Sequence, residues 1–111
     1  MEDGIYGHLK VPANTPFVTV MGACDGQHSY VIYQGNAQSG ALTNTGTLAL
    51  PKGYQPMQQE GAIILGIGGD NSNSANGYFF EGVMTQGMPA GKIMESIQHN
   101  IVSARYAGQL R

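Results

Sequence analysis

Between Gly61 and Gly69 no residue carries a charge, and the first group beyond that apolar run able to take or give a proton is Asp70, followed by Asn71, Ser72 and Asn73. A buried strand that delivers one acid into a loop of small and amide residues is a setting in which a carboxylate can cleave a sugar. Such cleavage needs two carboxyl groups flanking the glycosidic bond, one holding a proton and the other ionised. Glu2, Asp3 and Glu81 are the candidates to pair with Asp70, and sequence alone does not choose among them. The same residues have plainer readings. An acid after a glycine-rich strand end is often a turn residue, and Glu81, inside Tyr78 to Met84, also reads as a strand residue bonded to backbone or facing solvent.

Other chemistries fit less well. In Gly66-Ile67-Gly68-Gly69 the third glycine of a dinucleotide-binding turn would fall on Asn71, and no helical pattern follows. Asp70 to Asn73 offers oxygen ligands but lacks the glycine and terminal glutamate of a calcium loop. His8, His28 and His99 are far apart, and Cys24 is the single cysteine, so neither an internal disulfide nor a zinc cluster is expected; the expected metal and cofactor content is none. Asp25 beside Cys24 disfavours a thiolate, and there is no G-x-S-x-G elbow. The formal net charge is -2 with the five bases scattered, which points away from nucleic acid and anionic membrane. With only 11% charged residues, a glycine- and amide-rich surface suits neutral hydroxyl-rich ligands.

The elements that must position these acids are mostly strands. Pro16 to Gly22, His28 to Gln34 and Gly40 to Leu50 are rich in Val, Ile, Tyr and Thr and are separated by Asp25-Gly26 and Gly35-Asn36, the pattern of antiparallel hairpins. The bulky residues of Ser29 to Gln34 fall on both faces, as in a central strand or one showing a tyrosine to a groove. Pro51 to Gly61 reads as a surface connection, Gly61 to Gly69 as a buried strand, Asp70 to Gly77 as a loop and Tyr78 to Thr85 as a further extended segment. Ile93, Ile97 and Ile101 then mark one apolar face of a helix from about Lys92 to Ala107, with Gly108 as its stop and Glu95 and Arg105 matching its dipole. At 111 residues and 41% apolar content the chain is expected to form one domain, 1–111, with a small core. Glu2 and Asp3 directly after Met1 do not read as a signal peptide, and no apolar run nears the roughly 18 residues of a membrane span, so a soluble chain is expected.

The Gly61 to Asn73 string, followed by Glu81-Gly82-Val83-Met84-Thr85 and by Gln98 with Asn100-Ile101-Val102, resembles the later part of the catalytic domain of the α-L-arabinofuranosidase B family, glycoside hydrolase family 54. Weaker likeness continues through Gly35-Asn36-Ala37 and Tyr54-Gln55-Pro56-Met57. The resemblance implies an all-β fold, a concanavalin-like jelly-roll β-sandwich, here partial and with one C-terminal helix. It implies removal of terminal L-arabinofuranosyl groups from arabinan or arabinoxylan with retention of configuration. The aspartate of the family's G-G-D motif, its general acid/base, matches Asp70. The glutamate of its M-E-N-N-like string, its nucleophile, matches Glu2 in Met1-Glu2-Asp3-Gly4. Substrate contacts carry over onto Asp3, Gly69 and Asn71. Retention would place the two catalytic carboxyl groups about 5 Å apart.

Two departures stand out. The family has an amide after the nucleophile where this chain has Asp3, a third carboxylate able to repel Glu2 and raise its pKa. The family's first half, whose paired cysteines and aromatic residue wall the sugar pocket, and its arabinose-binding β-trefoil have no counterpart here. The chain therefore resembles the trailing half of a catalytic sandwich, whose open edges and apolar face call for a companion chain or a homo-oligomer. Secretion is implied by the family alone. The contrasting expectation is a non-catalytic, lectin-like sandwich binding neutral glycans through the Asp70 to Gly77 loop and exposed tyrosines.

Overall fold

A computed structural model describes residues 11–55 and 76–107. The chain falls into two compact units, one formed by Met1–Pro56 with Gly87–Arg111 and the other by Met57–Gln86. The described part of the first is mostly β: strands β1 (Val18–Cys24), β2 (Ser29–Asn36) and β3 (Ser39–Ala49) form one antiparallel sheet in the order β1-β2-β3, and helix α1 (Gly91–Ser103) follows. Strands of this class and one helix near the C-terminal end are what the residue pattern predicts. β2 is the central strand, which accounts for bulky side chains on both of its faces.

The first hairpin turns where Asp25-Gly26 predicts it, with Gly26 at φ 77°. Asp25 organises this turn: Oδ1 accepts the N–H groups of Gln27 at 2.9 Å, His28 at 2.6 Å and Ser29 at 3.0 Å. Those three amides, with the His28 side chain assisting, hold the carboxyl well below its ordinary value. The depressed folded-state pKa fixes the sign of its pH dependence. Its stabilisation is present above the ordinary aspartate value of 3.8 and is lost progressively as the medium is acidified below it. We expect Asp25→Ala to free the Gln27 and Ser29 amides at neutral pH, read as faster amide exchange. The same variant should lose the acid-side decline in melting temperature that the parent shows.

The second turn differs from the expected Gly35-Asn36. Asn36 pairs with Ser39, so the loop is Ala37-Gln38, closed by the Gln38 N–H donating to Asn36 Oδ1 at 2.8 Å. Gly35 lies within β2 and is needed for a different reason. A Cβ there would come within 3.0 Å of Gln98 Nε2 and 3.3 Å of the Ala41 carbonyl, so only glycine lets the helix side chain approach the strand this closely. β3 is irregular: Ile32 pairs with Gly46 and Tyr33 with Asn44, leaving Thr45 as a bulge whose hydroxyl donates to the Ile32 carbonyl at 3.4 Å.

The helix departs from its expected limits and face. It ends at Ser103 rather than running to Ala107, with Arg105 in the left-handed region at φ 55°. That conformation costs an arginine roughly 1–2 kcal/mol. It turns the chain so that Tyr106 stacks on Phe17, ring centroids 6.1 Å apart, and the Tyr106 carbonyl accepts from Gln38 Nε2 at 2.8 Å. The side chains buried on α1 are Met94 and Gln98, with Ile97, Ile101 and Val102 half-buried and Ile93 exposed. The inward stripe therefore runs beside the isoleucine row rather than along it. Glu95 and Arg105 do not serve the helix dipole, since neither lies in a terminal turn of the helix; both oxygens of Glu95 instead accept the Leu42 N–H of β3, at 3.2 and 3.4 Å. Phe17, Val31, Ala37 and Met94 form the described apolar core.

In the second unit the described residues are 76–86, and no strand is assigned among them, where Tyr78 to Thr85 is expected to be extended. An ideal Cβ on Gly82 would lie 2.8 Å from the Phe79 ring. A side chain at position 82 would therefore displace the ring.

Candidate functional site

The residues expected to do the chemistry, Glu2 and Asp70, and those expected to contact substrate, Asp3, Gly69 and Asn71, lie outside the described residues, as do His8 and the strand from Gly61 to Gly69. The described acids are Asp25, Glu81 and Glu95, and each is differently engaged. Asp25 is committed to three backbone amides, and its lowered pKa keeps it ionised, unsuited to delivering a proton near neutrality. Glu95 is bound to the Leu42 amide. Glu81 is exposed in the second unit.

Histidines and the cysteine are likewise accounted for. His28 is exposed in the first hairpin turn, Nδ1 3.6 Å from Asp25 Oδ2. His99 is exposed on α1, and Cys24 is half-buried with its Sγ accepting the Gly26 N–H at 3.2 Å. Among the described residues no group of three or more His, Cys, Asp or Glu is placed to hold a metal ion. No described helix is long and apolar enough to cross a membrane.

The most specific polar arrangement in the first unit was visible in the sequence only as an amide inside an apolar stripe. Gln98, four residues after Met94 and four before Val102, is 1% exposed. Its Nε2 donates to the carbonyl of Asn36 at 2.8 Å and of Gly40 at 3.3 Å, clamping the β2–β3 turn to the helix. Among the described residues its Oε1 has no hydrogen-bond partner, nor has the hydroxyl of buried Thr19. The amide orientation is fixed by the two carbonyls, since the reverse would set oxygen against oxygen. Beside the clamp lies an open depression of about 310 Å³ lined by Gly40, Ala41, Glu95, Gln98, His99 and Val102. It contains one carboxylate, already bonded to backbone, and one imidazole; it lacks the two carboxyl groups that glycosidic cleavage uses.

Comparison with known proteins identifies the family. The family described as Alpha-L-arabinofuranosidase B, catalytic, matches residues 1–107. An α-L-arabinofuranosidase of Hypocrea jecorina is 55% identical over 96% of this chain and 23% of its own length. An α-L-arabinofuranosidase B of Aspergillus niger is 54% identical over 73% of this chain and 17% of its own. A Trichoderma koningii protein named arabinofuranosidase/B-xylosidase is 54% identical over 96% of this chain and 23% of its own. The chain thus spans about a quarter or less of the length of these relatives. No solved structure matches it. Matched along nearly its whole length, the chain belongs to the α-L-arabinofuranosidase B catalytic family.

Proposed function

We propose that this chain is the acid-bearing segment of a retaining α-L-arabinofuranosidase, forming one domain with the jelly-roll sandwich of its family and removing terminal L-arabinofuranosyl groups from arabinan or arabinoxylan. The observation that carries the reading is the family match over residues 1–107, a span that contains Glu2 and Asp70 together. In this reading Glu2 attacks the anomeric carbon and forms a covalent arabinosyl ester while Asp70 protonates the departing oxygen. Asp70, now ionised, then takes a proton from water, which attacks the ester and releases arabinose with its original configuration. Gly69 and Asn71 hold the sugar beside Asp70, and Asp3 contacts it beside Glu2.

Because the relatives are about four times longer, the pocket is complete only with the rest of a family-length sequence, on the same polypeptide or on a companion. Secretion is carried over from the family. A chimera tests the activity: this chain replaces its matching stretch of about 115 residues in the Hypocrea jecorina protein. Turnover of 4-nitrophenyl α-L-arabinofuranoside giving the α-anomer first, seen by NMR, is expected. An initially inverted product, or a folded chimera without turnover, contradicts the reading.

Asp3 adds a pH signature. A neighbouring negative charge raises the pKa of Glu2, and the nucleophile must be ionised to attack. In the same chimera Asp3→Asn should shift the acid limb of kcat/KM to lower pH. An unmoved limb would separate Asp3 from the nucleophile.

A further inference from the structure

Ser29 pairs with Ala49, so the first hairpin turn and the segment that leaves β3 meet at one end of the sheet. Backbone hydrogen bonds hold them there. The Leu50 N–H donates to the His28 carbonyl at 2.7 Å, and the Tyr54 N–H donates to the Pro51 carbonyl at 3.0 Å across a turn with Gly53 at φ 79°. Between the two turns lies an open hollow of about 510 Å³, within the size range of small-molecule sites. Gln27, His28, Leu50, Lys52, Tyr54 and Gln55 line it. Leu50 and Tyr54 are half-buried and so held in place, while the four polar side chains are exposed.

These side chains suit a neutral ring bearing hydroxyl groups. Each glutamine amide both donates and accepts, as a hydroxyl does. Ionised Asp25, whose Oδ2 lies 3.6 Å from His28 Nδ1, favours the imidazole proton on that nitrogen and leaves Nε2 as an acceptor. Lys52 adds a donor, and its formal charge is matched by that of Asp25 in the adjoining turn, so the set calls for no ion. Tyr54 brings an aromatic ring able to cover the C–H face of a sugar. We infer that this hollow is a subsite for a pyranose unit of a polysaccharide backbone, and that it selects arabinoxylan over arabinan. The inference rests on the proposed function for its two candidate substrates. The backbone of arabinoxylan is a chain of pyranose rings, and that of arabinan a chain of furanose rings. A pyranose chair presents a flat row of axial C–H bonds to an aromatic ring, and a puckered furanose presents no such row.

The test titrates the full ¹⁵N-labelled chain with β-1,4-xylotetraose and, separately, with α-1,5-arabinotetraose, and follows the backbone amide shifts by NMR. Xylotetraose is expected to move the amides of Gln27, His28, Gly53 and Tyr54 saturably, and to bind at least fivefold more tightly than arabinotetraose. Tyr54→Ala should weaken xylotetraose binding about fivefold or more, and Tyr54→Phe, which keeps the ring, less than twofold. Gln27→Ala and Gln55→Ala should each weaken it about threefold, the scale of one hydrogen bond to an exposed amide. Spectra of the free variants that match the parent outside these turns show that the fold is kept. Equal affinity for the two oligosaccharides, or binding indifferent to Tyr54→Ala, overturns the pyranose subsite. Xylotetraose at millimolar concentration that leaves these amides unmoved overturns it too. The titration reads binding and not turnover, so its failure leaves the proposed hydrolysis standing, and an inactive chimera removes the hydrolysis without altering these shifts.

Discussion

In the chimera that carries this chain, Glu2→Gln abolishes turnover of every arabinofuranoside, whereas the loss caused by Asp70→Asn depends on the leaving group. The asymmetry follows from the roles. Without a nucleophile no glycosyl ester forms, and the loss should exceed about 10⁴-fold, the scale on which removal of a covalent nucleophile is felt. An acid/base contributes about 10²–10⁴-fold, and only where a proton must move. A sugar alkoxide departs poorly without protonation, so Asp70→Asn should cost that full factor on arabinan. Nitrophenolate departs readily by itself, so ester formation survives on the aryl glycoside and hydrolysis of the ester becomes the slow step. Azide needs no base to attack, and should accelerate Asp70→Asn on the aryl substrate with arabinofuranosyl azide of retained configuration as product. It should do nothing for Glu2→Gln. Steady-state rates with both substrates, with and without azide, check the whole pattern. Equal losses on both substrates without azide rescue would deny Asp70 its role.

Gln98→Glu is expected to be the most damaging single-atom exchange in the sheet-and-helix unit. The wild-type amide donates to two backbone carbonyls while fully buried. An ionised glutamate would place a carboxylate oxygen against those carbonyls with no donor, and an uncompensated buried charge costs about 3–5 kcal/mol. A core as small as Phe17, Val31, Ala37 and Met94 has little stability in reserve. The pH dependence should be reversed from that of Asp25. The site favours the neutral acid, so the folded-state pKa of the new glutamate is raised above its unfolded value. The penalty is then full above the raised pKa and shrinks as the medium is acidified towards about pH 4, where the protonated carboxyl can donate to Asn36 or Gly40. Thermal melts of Gln98→Glu and the parent between pH 4 and 8 measure this. A difference that does not vary with pH would show that the clamp is a packing contact and not a donor.

Local rules carried the sheet. Asp25-Gly26 announced the first turn because a carboxylate accepts nearby amides and glycine takes positive φ, both properties of adjacent residues. The second turn was misplaced because Gly35-Asn36 has the same composition for another reason: Gly35 makes room for Gln98, 63 positions along the chain, and no local rule contains that contact. The helix was legible as an element, yet its inward face was not. The isoleucine row has the strongest apolar signal, while burial followed Met94 and Gln98, because an amide able to cap two turn carbonyls outweighs a more apolar side chain with nothing to bind. The stop at Ser103 likewise answers to Tyr106 stacking on Phe17 rather than to Gly108. For the site, residue types narrowed the chemistry to carboxylates and left the pair open. Only the family likeness paired Glu2 with Asp70, since they lie far apart in sequence and no spacing rule links them.

The separation of those two carboxyl groups in a crystal structure of the chimera with arabinose bound is the most direct test. The account predicts about 5 Å between them, across the anomeric carbon of one furanose ring, as retention requires. Carboxyl groups in separate clefts, or held roughly 6.5–9.5 Å apart around a water, would contradict it.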